Sequence, residues 1–336
     1  MIKPDLLKKG DKVALVSLSG GLGGEELFNH RVTLGIKRLK EVFGFEVVIA
    51  PNALKGCEYL NANPEAKASD LMWAIKNDSI KGIFSIIGGT DSIKILPYID
   101  LEEITRHPKV FCGFSDSTSV HFMFWKAGVQ SFYGPCVMCQ FAENVKMHDY
   151  TLSAINHALI LGDKYAIESA PNWCGAMLNW ADANNDNILR PMQKETHGLE
   201  FLKGNSTQGE LIGGCIDVLP EVISAGLFND IQWQNKILFL EPSDECVEPE
   251  VLRTYFKTLK ETNIFDKVNG VIFGKPKYEK YYDEYKTVLL EELKNYDISI
   301  VYNVNFGHED PITVLPYGAV LSIDNETKTL TVDNFR

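Results

Sequence analysis

The chain has 336 residues, 45% of them hydrophobic, enough for a large core and, by length, about two domains. A formal net charge of -12 argues against nucleic acid or an anionic membrane surface as the main partner. No apolar stretch is long enough to span a bilayer, and seven cysteines without regular spacing suit free thiols in a reducing compartment, so the composition reads as a soluble cytoplasmic protein.

The elements alternate from the start. "KVALVSLSG" reads as a strand rather than as a signal peptide, because Ser17, Ser19 and Gly20 break the apolar run. "ELFNHRVTLGIKRLKEVFG" reads as a helix with Gly44 in the stopping position. "FEVVIAP" is a strand, "PEAKASDLMWAIKND" a helix with Pro64 near its start, and "IKGIFSIIGG" a strand. "TDSIKILPYI" opens a short helix, and "KVFCGF" is the next strand, running into a helix that stops near Gly128. Alternation at this spacing predicts a parallel sheet with helices on both faces. Ligands of such sheets bind beyond the carboxyl ends of the strands, where "SLSGG", "IIGGTDS" and "GFSDSTS" should converge on one cleft.

From Asp149 to Gly209 the periodicity weakens, and "NWADANNDNILRPMQKETHG" reads as a connector with a long polar loop. A second α/β unit follows: "GELIGGCIDVLPEVIS", "KILFLEPSDE", the helix "PEVLRTYFKTLKETNIF", "VNGVIFGKP", a charged helix over 280–296, "ISIVYNVNFG", and the closing pair "GAVLSID" and "KTLTVD". The predicted division is 1–150, a connector over 151–208, and 209–336.

Ser115 lies in a tight strand-to-helix turn, where a serine serves either as a nucleophile or as a helix N-cap. A serine nucleophile needs a base, almost always histidine, and an acid to orient it. Of seven histidines, His121 sits in an apolar helix and reads as packed, His30 is on a surface-type helix, His107 precedes Pro108, and His148, His157 and His197 fall in or near the connector. His308 stands just past a buried strand, between Gly307 and the Asp-Pro turn, where functional residues concentrate. Glu241 ends the apolar strand "KILFLE", and a carboxylate there needs a partner, either in a structural ion pair or in a site; Asp244 and Glu245 follow in a more solvated loop.

Together with "IIGGTDS", these pieces resemble the LD-carboxypeptidase and microcin C self-immunity (MccF-like) serine peptidases. The resemblance runs over nearly the whole chain, on "VALVSLSGG", "IIGGTDS", "GFSDST", "GELIGGCIDVL", "ILFLEPSDE", "NGVIFGKP" and "NFGHEDPITVLPYGA" in register. It implies Ser115 as nucleophile, Glu241 as acid and His308 as base, in a Rossmann-like N-terminal domain joined to a smaller C-terminal α/β domain. The site would then lie across the junction of a homodimeric enzyme. Asp116 stands where the α/β-hydrolase G-x-S-x-G pattern has its last glycine, which argues against that fold. Asp116, Ser117 or Thr118 is expected to cap the following helix, and the backbone N–H groups of Asp116 and of Gly88 or Gly89 to form the oxyanion hole, with Thr90 expected to bind substrate.

"PCVMC" sets Cys136 and Cys139 at C-x-x-C spacing; with no second pair, packed thiols in a buried strand are the expectation. "SGGLGG" lacks the G-x-G-x-x-G order and reads as a flexible loop lining the site. His308-Glu309-Asp310 has no further ligand cluster to complete a metal sphere, so no metal or cofactor is expected. The resemblance implies two substrate classes: a peptidoglycan tetrapeptide losing its terminal D-alanine, or the acyl link of an aminoacyl nucleotide. The long connector, with Trp180 where the MccF-like tryptophan is expected, favours the second, although Leu199 replaces a tryptophan common in relatives. Trp180 either stacks on a nucleobase or pins the loop. From another class, a non-catalytic nucleotide-binding module would keep the glycine-rich turns without needing Ser115, Glu241 and His308 together.

Overall fold

The computed structural model describes residues 1–333, so the last three residues of the predicted 209–336 unit lie outside the described residues. The first half carries β1 (Lys12–Val16), β2 (Glu46–Ile49), β3 (Ile80–Ser85), β4 (Val110–Gly113) and β5 (Phe132–Tyr133). Between them run α1 (Asn29–Glu41), α2 (Gly56–Ala62), α3 (Pro64–Lys76), α4 (Leu101–Arg106) and α5 (Thr118–Lys126). β2, β1, β3, β4 and β5 pair in that order, all parallel. β1 and β4 are apolar runs buried on both faces, as a sheet covered on both sides requires. α1 buries Val32, Gly35 and Leu39 on one stripe, and the chain leaves it through Gly44 at φ +72°.

After α6 (Asp149–Ile155), the strands β6 (Tyr165–Ile167), β7 (Asn172–Cys174), β8 (Met192–Lys194) and β9 (Glu200–Lys203) occupy the region of weak periodicity. β7 and β8 form a separate antiparallel hairpin. Then come β10 (Thr207–Cys215), α7 (Leu219–Ser224), β11 (Lys236–Glu241), α8 (Pro249–Glu261), β12 (Gly270–Gly274), α9 (Tyr282–Leu293) and β13 (Ser299–Val304). β14 (Leu315–Pro316), β15 (Val320–Asp324) and β16 (Thr329–Asp333) complete the set. The second sheet runs β6-β16-β15-β10-β11-β12-β13-β9, with β10 to β13 parallel. β14 crosses back to pair with β5 and extends the first sheet, so the chain stitches the two sheets together.

The sheets also meet through β10. Gly213 and Gly214 have φ +155° and +142°; a side chain on the first would collide with the Phe239 backbone and on the second with Thr118. That closeness lets the Cys215 N–H donate to Thr118 Oγ1 at 3.0 Å, locking β10 onto the start of α5.

Two local expectations are corrected. "PCVMC" is not a strand: Cys136 leads into a π-helical turn over Val137–Phe141, packed against α1. The loop "SGGLGG" is not loose either. A Cβ on Gly21 would stand 2.5 Å from the Gly56 carbonyl oxygen and one on Gly24 would collide with the Gly56 nitrogen, so these two glycines admit the start of α2.

Candidate active site

β4 delivers Ser115 directly. Phe114 ends the extended run, a 3₁₀ turn covers Ser115–Ser117, and α5 begins at Thr118. Ser115 adopts φ +61°, an uncommon and strained conformation for a residue with a side chain and one that clusters at functional sites. The expected side-chain cap is absent: the N-cap position is Ser117, without a side-chain bond to the helix. Thr118 Oγ1 donates to the Ser115 carbonyl at 2.7 Å instead.

Asp116 is almost fully buried and serves as an anchor for neighbouring loops. Its carboxylate accepts from Ser19 Oγ and from the Ser92 N–H (2.8 Å), and its carbonyl accepts from Ser92 Oγ (2.6 Å). The turns after β1, β3 and β4 are thereby tied to one carboxylate. Burial pushes that carboxyl's pKa up, against the pull of its serine donors.

β11 and β13 supply the other two side chains. Glu241, fully buried at the end of β11, lies with Oε2 2.7 Å from His308 Nδ1, and His308 Nε2 lies 3.0 Å from Ser115 Oγ. Glycine surrounds the carboxylate: a Cβ on Gly274 would stand 2.6 Å from Glu241 Cβ, and one on Gly307 would overlap the carboxylate itself. The imidazole stands edge-on to Phe114 at 5.0 Å. Burial alone would lower the His308 pKa, but the charge and hydrogen bond of Glu241 outweigh it and raise it to about 9. Asp244 Oδ1 is 3.8 Å from Nε2 on the solvent side.

These residues face a cavity of about 500 Å³. Gly88, Gly89 and Thr90 form its floor beside Ser115; a Cβ on Gly88 would stand 3.1 Å from Ser115 Oγ and 3.9 Å from the Asp116 nitrogen. Gly89, at φ +151°, leaves no room for a side chain, since a Cβ would stand 2.5 Å from Ser19 Oγ. Trp180 also lines the cavity, with the Arg31 guanidinium 4.8 Å from its ring centre. Trp173, the connector's other tryptophan, is buried under Lys275 and Leu199 packs against the core; neither lines the cavity.

The remaining histidines are engaged elsewhere. His121 is fully buried between Ser131 Oγ (2.8 Å) and the Gly113 carbonyl (2.9 Å), and burial pushes its pKa down to about 3. His148 is not the exposed residue its connector position suggests: it lies 3.2 Å from Glu143 and 3.4 Å from Cys174 Sγ. Among the described residues, two clusters have metal-ligand composition, Glu143-His148-Cys174 and Cys215-Glu241-His308. In the first, Glu143 also carries the Arg190 guanidinium. In the second, burial holds the Cys215 thiol well above its ordinary pKa, while Glu241 and His308 face each other. In both sets the ligand-type atoms already have partners, some of them outside the set.

Three contributors had no clear sequence signal. Tyr133 bridges Glu241 and the Ser115 backbone; Arg190 pairs with Glu143 and Asp310 in the cavity wall; and Lys277, nearly buried, donates to the His308 carbonyl at 2.8 Å. A tyrosine in "SFYGP" or a lysine in "KPKY" looks no different from any core aromatic or surface cation until the fold closes.

No helix of the described residues is long and apolar enough to cross a membrane. Residues 13–134 match the LD-carboxypeptidase N-terminal domain and 208–323 the LD-carboxypeptidase C-terminal domain. The microcin C7 self-immunity protein MccF of Escherichia coli is 27% identical over 86% of this chain and 84% of its own length. An MccF-like protein from Streptococcus pneumoniae, solved in complex with AMP, is 32% identical and superposes with a TM-score of 0.90 over 97% of this chain and 100% of that one. MccF in complex with aspartyl sulfamoyl adenosine is 25% identical with a TM-score of 0.87, over 99% of both chains. With both domain models matched in order and a relative above 30% identity aligned along nearly all of it, the chain belongs to the LD-carboxypeptidase family of serine-type hydrolases.

Proposed function

We propose that this enzyme cleaves the acyl link of aminoacyl nucleotides, with Ser115 as nucleophile, His308 as base and Glu241 as acid. The observation that carries the catalytic part is the unbroken chain from Ser115 Oγ through both nitrogens of His308 to Glu241, opening on the cavity. Ser115 Oγ attacks the acyl carbon as its proton passes to Nε2, and Glu241 holds the Nδ1–H and stabilises the imidazolium. The N–H groups of Asp116 and of Gly88 or Gly89 receive the oxyanion. His308 then protonates the departing nitrogen, and water, activated by the same imidazole, releases the acyl group from Ser115.

The nucleotide part rests on Trp180 in the cavity wall and on the AMP and aspartyl sulfamoyl adenosine held by the two similar proteins. A second reading, removal of terminal D-alanine from a peptidoglycan tetrapeptide, draws on Lys277 and Arg190 in the same cavity lining as positive charge near a terminal carboxylate, although Arg190 already pairs with Glu143 and Asp310 and Lys277 with the His308 carbonyl. Neither substrate calls for a cofactor, and a cytoplasmic homodimer suits both.

A panel of aminoacyl-sulfamoyl adenosines and muropeptide tetrapeptides, assayed with wild type and the Ser115→Ala and Trp180→Ala variants, separates these readings. Base stacking is worth about 1–3 kcal/mol, so Trp180→Ala should lower kcat/KM for the nucleotide substrate roughly 5- to 150-fold and leave any tetrapeptide turnover intact. Tetrapeptide cleavage indifferent to Trp180, with no nucleotide turnover, would move the assignment to the cell-wall substrate. Binding of adenosine analogues without hydrolysis of either class would indicate a nucleotide-binding module.

A further inference from the structure

We infer that Tyr133 is a positioning residue of this site, its single hydroxyl setting both the acid and the nucleophile; the inference rests on the Ser115-His308-Glu241 reading given above. The Tyr133 O–H donates to Glu241 Oε1 at 2.6 Å, the oxygen that His308 does not use. The Tyr133 hydroxyl oxygen in turn accepts the Ser115 N–H at 3.0 Å. Ser115 and Glu241 come from different sheets, and Tyr133 on β5 sits between them.

Each bond meets a physical need. A fully buried carboxylate with one free oxygen would carry a desolvation penalty, and with one partner it could swivel away from Nδ1. The phenol fills the second acceptor site and fixes the plane in which Oε2 meets the imidazole. At Ser115, the left-handed φ of +61° must be held by its surroundings, and the bond to its N–H is one restraint that does so. Burial, with the nearby charge of Glu241, keeps the phenol pKa well above its ordinary value, so the donor is present at every pH at which the enzyme works.

The ring itself is packed independently of the hydroxyl, against Phe239 (5.3 Å), His121 (5.6 Å) and Phe114 (6.5 Å). Tyr133→Phe therefore removes two hydrogen bonds and little else. The groups that face His308 are Glu241, Asp244, Asp217 and Lys277; all four keep their identity in the variant, and only Glu241 loses a hydrogen bond. Without the phenol, Glu241 keeps more negative charge toward Nδ1, so the imidazolium is stabilised and the base form of His308 appears at higher pH.

The test compares wild type, Tyr133→Phe and Ser115→Ala on the substrate that wild type hydrolyses, with thermal melts and an NMR titration of the His308 ring. Tyr133→Phe should lower kcat about 10-fold or more with KM little changed, a hydrogen bond to a charged group being lost. Both its acid limb in kcat/KM and its His308 titration should move to higher pH. 3-Fluorotyrosine at position 133, a stronger donor, should move both the other way, and serves if the phenylalanine variant fails to fold. With Ser115→Ala inactive, an unchanged rate and titration in Tyr133→Phe, or a fluorotyrosine protein that titrates like wild type, would overturn the positioning role while leaving the serine mechanism standing. A lowered melting temperature with the titration unmoved would make Tyr133 a packing residue only. Near-normal turnover by Ser115→Ala would overturn both.

Discussion

At Ser115 the geometry that suits the proposed nucleophile and its conformational cost come from the same place. The residue leaves β4, turns through a positive φ and presents Oγ to Nε2 of His308. Removing either Ser115 or His308 as alanine should cut turnover on the order of 10³-fold or more, because triad members act as a unit; the melting temperature should be nearly kept in Ser115→Ala and lowered in His308→Ala, which strips buried Glu241 of its partner. Glu241→Gln should be milder. Steady-state kinetics beside thermal melts decide the matter, and near-normal turnover in Ser115→Ala rejects the mechanism. The raised pKa of His308 adds a pH dependence. Catalysis needs the neutral imidazole, so kcat/KM of the free enzyme should climb as pH rises through about 9, and the limb should fall toward the ordinary value near 6.5 in Glu241→Gln. Stability runs the opposite way. A folded pKa above the unfolded one stabilises fully below pH 6.5, and that contribution disappears as pH rises from 6.5 through 9. A pH–rate limb unmoved by Glu241→Gln would show that another group sets it.

Among the elements, the legible ones were those whose period and punctuation agree. β1, β3, β4, β11 and β13 are buried on both faces and read as short apolar runs, while α1, α3 and α8 have one apolar stripe with a glycine or proline at an end. α2 was missed because "GCEYLNA" is one short stretch between polar turns, and the π-helical turn at Val137 because its apolar run mimics a strand. Ser115, Glu241 and His308 were visible as polar residues at strand ends, a position that implies a task. Tyr133 and Arg190 were not, since their partners lie 108 and 120 residues away in the chain, and only closure of the sheets brings them together. The turn after β3 shows how an element shapes chemistry. Gly89→Val would push a side chain into Ser19, whose hydroxyl is tied to Asp116, and so displace the N–H groups proposed to meet the oxyanion. Its kcat should fall roughly 10²-fold, the scale for losing one donor, with KM less affected. A kcat within about threefold of wild type would remove that turn from the oxyanion hole.

For the whole molecule the question is what holds two sheets and a hairpin loop in register around one cavity. Besides the site's own bonds, tethers that cross the divisions include β14 paired with β5, Thr118 joined to Cys215, and Arg190 beside β8 reaching Glu143 and Asp310 after β13. The Arg190 tether is electrostatic and nearly buried, so it is the one that pH can release. Burial alone would raise the Asp310 pKa; the Arg190 guanidinium foremost, helped by Lys277 and His148, holds it down near 2. A depressed carboxyl pKa stabilises the fold above the unfolded value near 3.8, and that contribution disappears as pH falls from there through 2. Arg190→Met keeps the bulk and strips two buried carboxylates of their shared cation, leaving them His148, Gln140 and Asn144 as partners, which should cost up to about 3–5 kcal/mol at pH 7. In the variant the sign reverses: protonation now relieves the mutual repulsion of Glu143 and Asp310, so the gap in melting temperature to wild type should narrow between pH 7 and pH 4. Calorimetric melts of both proteins across that range test it. A gap that stays constant, or a loss below about 1 kcal/mol at pH 7, would mean that the hairpin is held by its packing and that Arg190 serves the cavity alone.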